Sequence, residues 1–171
     1  MDDGSMTLII ALVFLVACSA FFSASETAFS SLNQIRLKSR AEDGDASAAR
    51  VLAMAEKYDK LLSTILIGNN IVNIAAASIG TILFTRALGA ERGATMSTIV
   101  LTIVVLIFGE VTPKSLAKEM PETVATAVSP MLNLLMVLFT PLTWLFSQWK
   151  RLLGHFVHST EEDTICLLYT S

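Results

Sequence analysis

The chain has 171 residues, 53% of them hydrophobic and only 16% charged, with a mean hydropathy of +0.63. Those values exclude a disordered chain and a nucleic-acid-binding surface, and they place the protein among integral membrane proteins. The net charge of −3 leaves no general basic face.

Residues 1–6 read as an extension ahead of the domain. Asp2 and Asp3 make this end acidic, whereas the n-region of a secretory signal is basic. The first apolar run, Thr7 to Phe22, continues helically to Phe29. A bilayer core takes about 20 helical residues, so Glu26 falls near the far end of span one. Arg36 to Lys60 is charged and alanine-rich, with a break at Asp43-Gly44-Asp45, and reads as two short helices outside the membrane. Span two runs from Leu61 to about Leu88 and carries Gly68, Asn69, Asn70 and Asn73 in otherwise apolar sequence. A turn over Gly89–Gly93 leads to span three, about Ala94 to Ala117, with Pro113 in its last third.

Lysine and arginine set the orientation. The connection between spans one and two carries Arg36, Lys38, Arg40, Arg50, Lys57 and Lys60, while the next carries only Arg86 and Arg92. The first connection is therefore expected in the cytoplasm, and the N-terminus outside. The last apolar region, Val124 to Trp149, has basic residues at both ends: Lys114 and Lys118 before it, Lys150 and Arg151 after it. Pro130 and Pro141 are expected to break it. A segment with the inner-face signature at both ends fits a helix along the inner leaflet better than a crossing, and Trp144 and Trp149 suit that depth. The expected fold is all-α: three transmembrane helices, short cytoplasmic helices and a juxtamembrane belt, in a plasma (inner) membrane. Cys18 and Cys166 have no metal spacing and are read as incidental. The tail 156–171 has no periodic pattern.

The polar residues within the spans carry the chemistry. A charge at bilayer depth costs roughly 3 kcal/mol on insertion scales, so Glu110 is the strongest candidate. Pro113 has no N–H, which deprives the Gly109 carbonyl of its helical partner. Irregular backbone at that depth is tolerated only against protein or a cavity. Ser23, Glu26 and Ser30 share a face of span one. A lone serine in such a helix bonds its own backbone or aids packing. Likewise one asparagine would be interhelical glue, but three within five positions exceed that need. Glu110 could instead pair with Lys114 one turn later, although Lys114 can snorkel to the interface. All the donors are hard oxygens, since His155 and His158 lie beyond the last apolar region. That ligand list points to Mg²⁺, Ca²⁺ or Na⁺ rather than zinc or copper.

Three motifs now stand in order: Phe22-Ser23-Ala24-Ser25-Glu26-Thr27-Ala28, Gly68-Asn69-Asn70-Ile71-Val72-Asn73 and Phe108-Gly109-Glu110-Val111-Thr112-Pro113-Lys114. Together they resemble the transmembrane domain of the CorC/CorB/CNNM group of magnesium transporters (the DUF21 domain), over residues 7–155. The resemblance implies a homodimer with three spans per subunit, a pair of cytoplasmic helices and a belt helix. It implies Mg²⁺ export, with exchange for Na⁺ as the mechanism. It carries the metal site onto Ser23, Ser25, Asn70, Asn73, Gly109 and Glu110, with Glu26 and Asn69 as further candidates and Pro113 as the conformational pivot. In full-length relatives a pair of ATP-binding CBS domains follows, and the sequence stops before any such domain. A magnesium sensor without flux of its own is the rival reading. A membrane enzyme is not expected, because the spans lack a histidine and a nucleophile-elbow glycine pattern.

Overall fold

A computed structural model describes residues 3–145 and 148–149 of the chain. Lys150, Arg151, His155, His158, Cys166 and the tail 156–171 lie outside the described residues. The elements are α1 (Asp3–Ser30), α2 (Gln34–Glu42), α3 (Ala46–Ala55), α4 (Tyr58–Leu88), α5 (Ala90–Val104), a π-helical stretch (Val105–Val111), α6 (Thr112–Glu119) and α7 (Pro121–Leu138). Among the described residues there is no strand.

Local chemistry accounts for the boundaries. Asn33 caps α2, its Oδ1 accepting the Arg36 N–H at 3.1 Å. The expected break at Asp43-Gly44-Asp45 is present. Gly44 turns in the left-handed region at φ 93°, and Asp45 Oδ1 caps α3 by accepting the N–H groups of Ser47 (2.9 Å) and Ala48 (3.1 Å). Between α4 and α5 the expected five-residue turn shrinks to Gly89 alone, at φ 84°. Gly93 lies inside α5 and serves packing instead. A Cβ there would sit 2.7 Å from the Phe84 carbonyl oxygen, so the glycine lets α5 lie directly against α4.

Pro130 does not break the last apolar helix, contrary to expectation. It sits inside α7, and the Thr126 carbonyl it leaves without an N–H accepts the Ser129 hydroxyl at 3.0 Å. The helix ends later, at Phe139.

Four helical runs are long and apolar enough to cross a membrane by length and composition: Gly4–Ser30, Tyr58–Leu88, Ala90–Glu119 and Pro121–Leu138. The sequence led us to expect three crossings. The fourth run, α7, is the shortest of them and the most buried within the protein. One apolar core joins the end of α1 (Phe22, Phe29), the α2–α3 hairpin (Leu37, Val51), the start of α4 (Leu61, Ile65), Ala117 of α6 and α7 (Leu132, Met136). Glu122 of α7 ties that end together by ion pairs to Arg40 (3.1 Å) and Arg36 (3.5 Å), and Arg40 also holds Asp45 at 2.7 Å. Away from the hairpin the exposed side chains are large and apolar: Val13 and Phe14, Ile71 and Ile74, Ile99 and Ile103. That surface suits acyl chains, since helices satisfy their own backbone there.

Candidate cation site

The π-helical stretch positions the site. The Thr112 N–H reaches back five residues to the Ile107 carbonyl rather than four, which widens the turn just before Pro113. Pro113 then falls in the first turn of α6, where a missing N–H is tolerated. The expected disturbance is thus taken up as a local widening, a form that recurs at functional sites. Gly109 and Glu110 sit within it.

Gly109 is buried against α1. A Cβ on Gly109 would lie 3.0 Å from Ser19 Oγ and 3.2 Å from Ser19 Cβ, so the glycine allows helix-to-helix approach. Ser19 Oγ in turn donates to Asn69 Oδ1 on α4 at 3.2 Å. Just below, a Cβ on Gly68 would overlap the Phe22 ring. Ser19, Asn69 and Gly109 therefore meet where α1, α4 and the π stretch cross. One turn along α1, Ser23 is 1% exposed and its Oγ has no partner among the described residues.

Glu110 opens on a second feature. It lines a groove of about 320 Å³ between α4 and the α5–π run, together with Asn73, Ala77, Thr81, Ser97, Thr98, Leu101, Thr102, Val105 and Leu106. Asn73 Oδ1 and Ser97 Oγ are buried there without partners among the described residues. A buried polar atom without a partner is costly, so each marks a place built for a ligand atom or water.

The remaining candidates are placed as follows. Ser25 is fully buried and donates to the Phe21 carbonyl at 2.7 Å. That bond uses its proton and leaves its lone pairs. Asn70 is on the exposed side of α4, with Nδ2 donating to the Leu66 carbonyl at 2.9 Å, one face away from Asn69 and Asn73. Glu26 pairs with Lys114 at 3.1 Å, so that lysine holds Glu26 rather than Glu110. Two residues escaped the sequence reading. Ser19 continues the Ser23–Glu26 stripe by one turn and could have been found from that spacing. Ser97 carries no such signal, because one serine in an apolar helix has no distinguishing pattern.

Among the described residues no three His, Cys, Asp or Glu side chains cluster. Glu110 is the carboxylate at the groove, and the polar residues that line it with Glu110 are Asn73, Thr81, Ser97, Thr98 and Thr102. That donor set fits a hard cation held mostly by neutral oxygens. The buried Asn73 Oδ1, without a partner among the described residues, is the observation that supports the fit; Ser23 lies on α1 and is not among the residues lining this groove.

The family model described as the cyclin M transmembrane N-terminal domain matches residues 10–165. The UPF0053 inner membrane protein YfjD of Escherichia coli K12 is 47% identical over 135 residues, covering 79% of this chain and 31% of that protein. A UPF0053 protein of Haemophilus influenzae is 40% identical over 151 residues, covering 88% of this chain and 36% of its own length. The polyamine export protein of Escherichia coli K12 is 32% identical over 151 residues, covering 81% and 34%. The chain spans about a third of the length of these curated relatives.

Proposed function

The chain belongs to the cyclin M transmembrane N-terminal domain family, and on that premise we propose that this multi-pass membrane domain exports Mg²⁺, in exchange for Na⁺. The observation that carries the reading is that the Glu110 carboxylate lines one groove with Asn73, whose buried Oδ1 has no partner among the described residues; the buried Ser23 Oγ on α1 likewise has none among them. Hard oxygens without thiolate or imidazole suit Mg²⁺ and Na⁺. Glu110 supplies the negative charge. Ser23, Ser25, Asn73 and the Gly109 carbonyl supply neutral oxygens, with Asn69, Glu26 and the outward-turned Asn70 as peripheral contributors. The π stretch ahead of Pro113 is the pivot through which the site opens inward. In this reading the domain is a homodimer with three crossings per subunit, its N-terminus outside and α7 lying along the inner leaflet.

The test is flux from proteoliposomes that enclose a Mg²⁺-sensitive dye. Wild-type protein moves Mg²⁺ and responds to a Na⁺ gradient. Glu110→Ala abolishes flux while leaving the protein folded; wild-type flux in that variant overturns the site. Binding of Mg²⁺ without any flux establishes the sensor reading instead.

A second reading is an organic cation as cargo. It is favoured by the relatives named polyamine export protein and by a groove larger than one bare metal ion needs. Counterflow of labelled spermidine in the same vesicles separates the two.

A further inference from the structure

The groove along α4 and α5 has polar groups at both ends and one hydroxyl residue, Thr102, in its otherwise apolar middle. At the inner end stand Glu110 and Asn73; at the outer end stand Ser97, Thr98 and Thr81; Leu101 forms the wall between. Ser97 is 1% exposed and its Oγ has no partner among the described residues. Thr98 and Thr81 donate their hydroxyl protons to the Ala94 and Ala77 carbonyls, at 3.0 and 2.8 Å. What those two threonines offer outward is therefore lone pairs. The outer end is an acceptor cluster of neutral oxygens.

Ser97 and Glu110 lie on one continuous helical run, thirteen residues apart. At the helical rise that is roughly 20 Å along the axis. Metal–oxygen distances are about 2–2.6 Å, so no single metal ion touches both ends. Three acceptors at the outer end match the three N–H donors of a primary ammonium, and the single carboxylate at the inner end matches a second cationic head. Side chains lean toward a helix N-terminus, which brings the Glu110 carboxylate outward, toward the hydroxyls.

We propose that the hydroxyl cluster of Ser97, Thr98 and Thr81 is a second head-group subsite, and that the groove holds one long linear polyammonium ion with its far amine there and its near amine on Glu110. This deepens the organic-cation reading and rests on it. Extended chains span about 1.2 Å per bond. A four-carbon diamine covers about 6 Å at that spacing and reaches one end only. A triamine or tetramine covers about 11–16 Å, and a hydrogen bond of about 3 Å at each head, with the outward lean of the Glu110 side chain, closes the remainder. Length of the amine, not charge alone, sets the affinity.

The experiment is equilibrium binding to the full chain in detergent, read as ligand-induced thermal stabilisation and by calorimetry. The probes are putrescine, spermidine and spermine, at ionic strength matched with NaCl. Wild-type protein binds spermine at least about tenfold more tightly than putrescine, the worth of one charge-assisted hydrogen bond. Ser97→Ala and the isosteric Thr98→Val each remove most of that length preference and leave putrescine affinity unchanged. Ser97→Thr restores it. Glu110→Gln weakens all three amines together. An equal loss for all three amines in Ser97→Ala and Thr98→Val, or a wild type with no preference for length, overturns the proposal. Because binding is measured directly, an absence of transport in vesicles defeats the export reading while the length preference still decides the subsite.

Discussion

Lys114 on α6 holds Glu26 on α1, with Nζ 3.1 Å from Oε2, one helical turn beyond Glu110. On sequence alone the carboxylate in reach of Lys114 was Glu110, one turn earlier on its own helix. The pairing it adopts clamps α1 to α6 and leaves Glu110 to the groove. Both side chains keep a third or more of their surface exposed, so the pair is worth about 0.5–1 kcal/mol. Lys114→Glu is expected to lower the thermal midpoint, and Glu26→Lys in the same chain to restore it. A double-mutant cycle reads the coupling. Additive effects of the two changes would show that the ion pair carries no stability.

Gly68 is a tighter constraint. An added methyl overlaps the Phe22 ring, which is 5% exposed and stacked edge-on against Phe21 at 5.3 Å between centroids. The ring has little room to move. Gly68→Ala is expected to cost about 1–3 kcal/mol by overpacking, seen as a lower midpoint of thermal unfolding in detergent. Gly44→Ala is strained by its positive φ but meets no neighbouring atom, so its loss stays smaller. The reverse order would mean that the α1–α4 crossing relaxes freely.

Much of this architecture was legible in the sequence because it rests on local rules. The α2–α3 break follows from Gly44 and the Asp45 cap, and the span limits follow from where charge begins. The misreadings came from residues whose role is tertiary. Gly93 looked like part of a turn, but its lack of a side chain serves the contact with Thr85 and Phe84. Pro130 looked like a breaker, yet Ser129 repairs the lost bond from the neighbouring position. At the site, Glu110, Asn73 and Gly109 stood out because a polar or side-chain-free residue is conspicuous in apolar sequence. Which asparagine faces which helix did not, since helical spacing alone puts Asn69 and Asn70 equally near Asn73. Only the crossing with α1 gives Asn69 a partner in Ser19 and turns Asn70 outward.

The repair at Pro130 makes a prediction of its own. Ser129 is fully buried and its hydroxyl is the donor to the Thr126 carbonyl. Ser129→Ala is expected to cost about 1–2 kcal/mol, the penalty for an unsatisfied buried acceptor. Pro130→Ala returns an N–H at the position that the Thr126 carbonyl requires. The double substitution should therefore be more stable than Ser129→Ala alone, as measured by thermal unfolding. If Pro130→Ala gives no rescue, the serine acts through packing and not through its hydrogen bond.

Acid should loosen the α2–α3 hairpin before the rest of the molecule. Asp45 lies outside the long apolar helices, and its carboxyl is held below the ordinary aspartate value, first by the Ala48 N–H and then by the Arg40 guanidinium. Arg40 is raised by the same partner, together with Glu122, and stays charged throughout. A carboxylate whose folded-state pKa is depressed contributes stability above its unfolded pKa. That contribution is lost as pH falls through the folded value. Hydrogen exchange at the Ser47 and Ala48 amides is the measurement, corrected for the intrinsic pH dependence of exchange. Protection should hold steady near neutral pH and decline on the acid side of the aspartate range. Asp45→Asn keeps an acceptor for the cap but has no proton to gain, so its protection should be lower at neutral pH and flat with acid. Parallel profiles in the two proteins would show that the acid response does not come from Asp45.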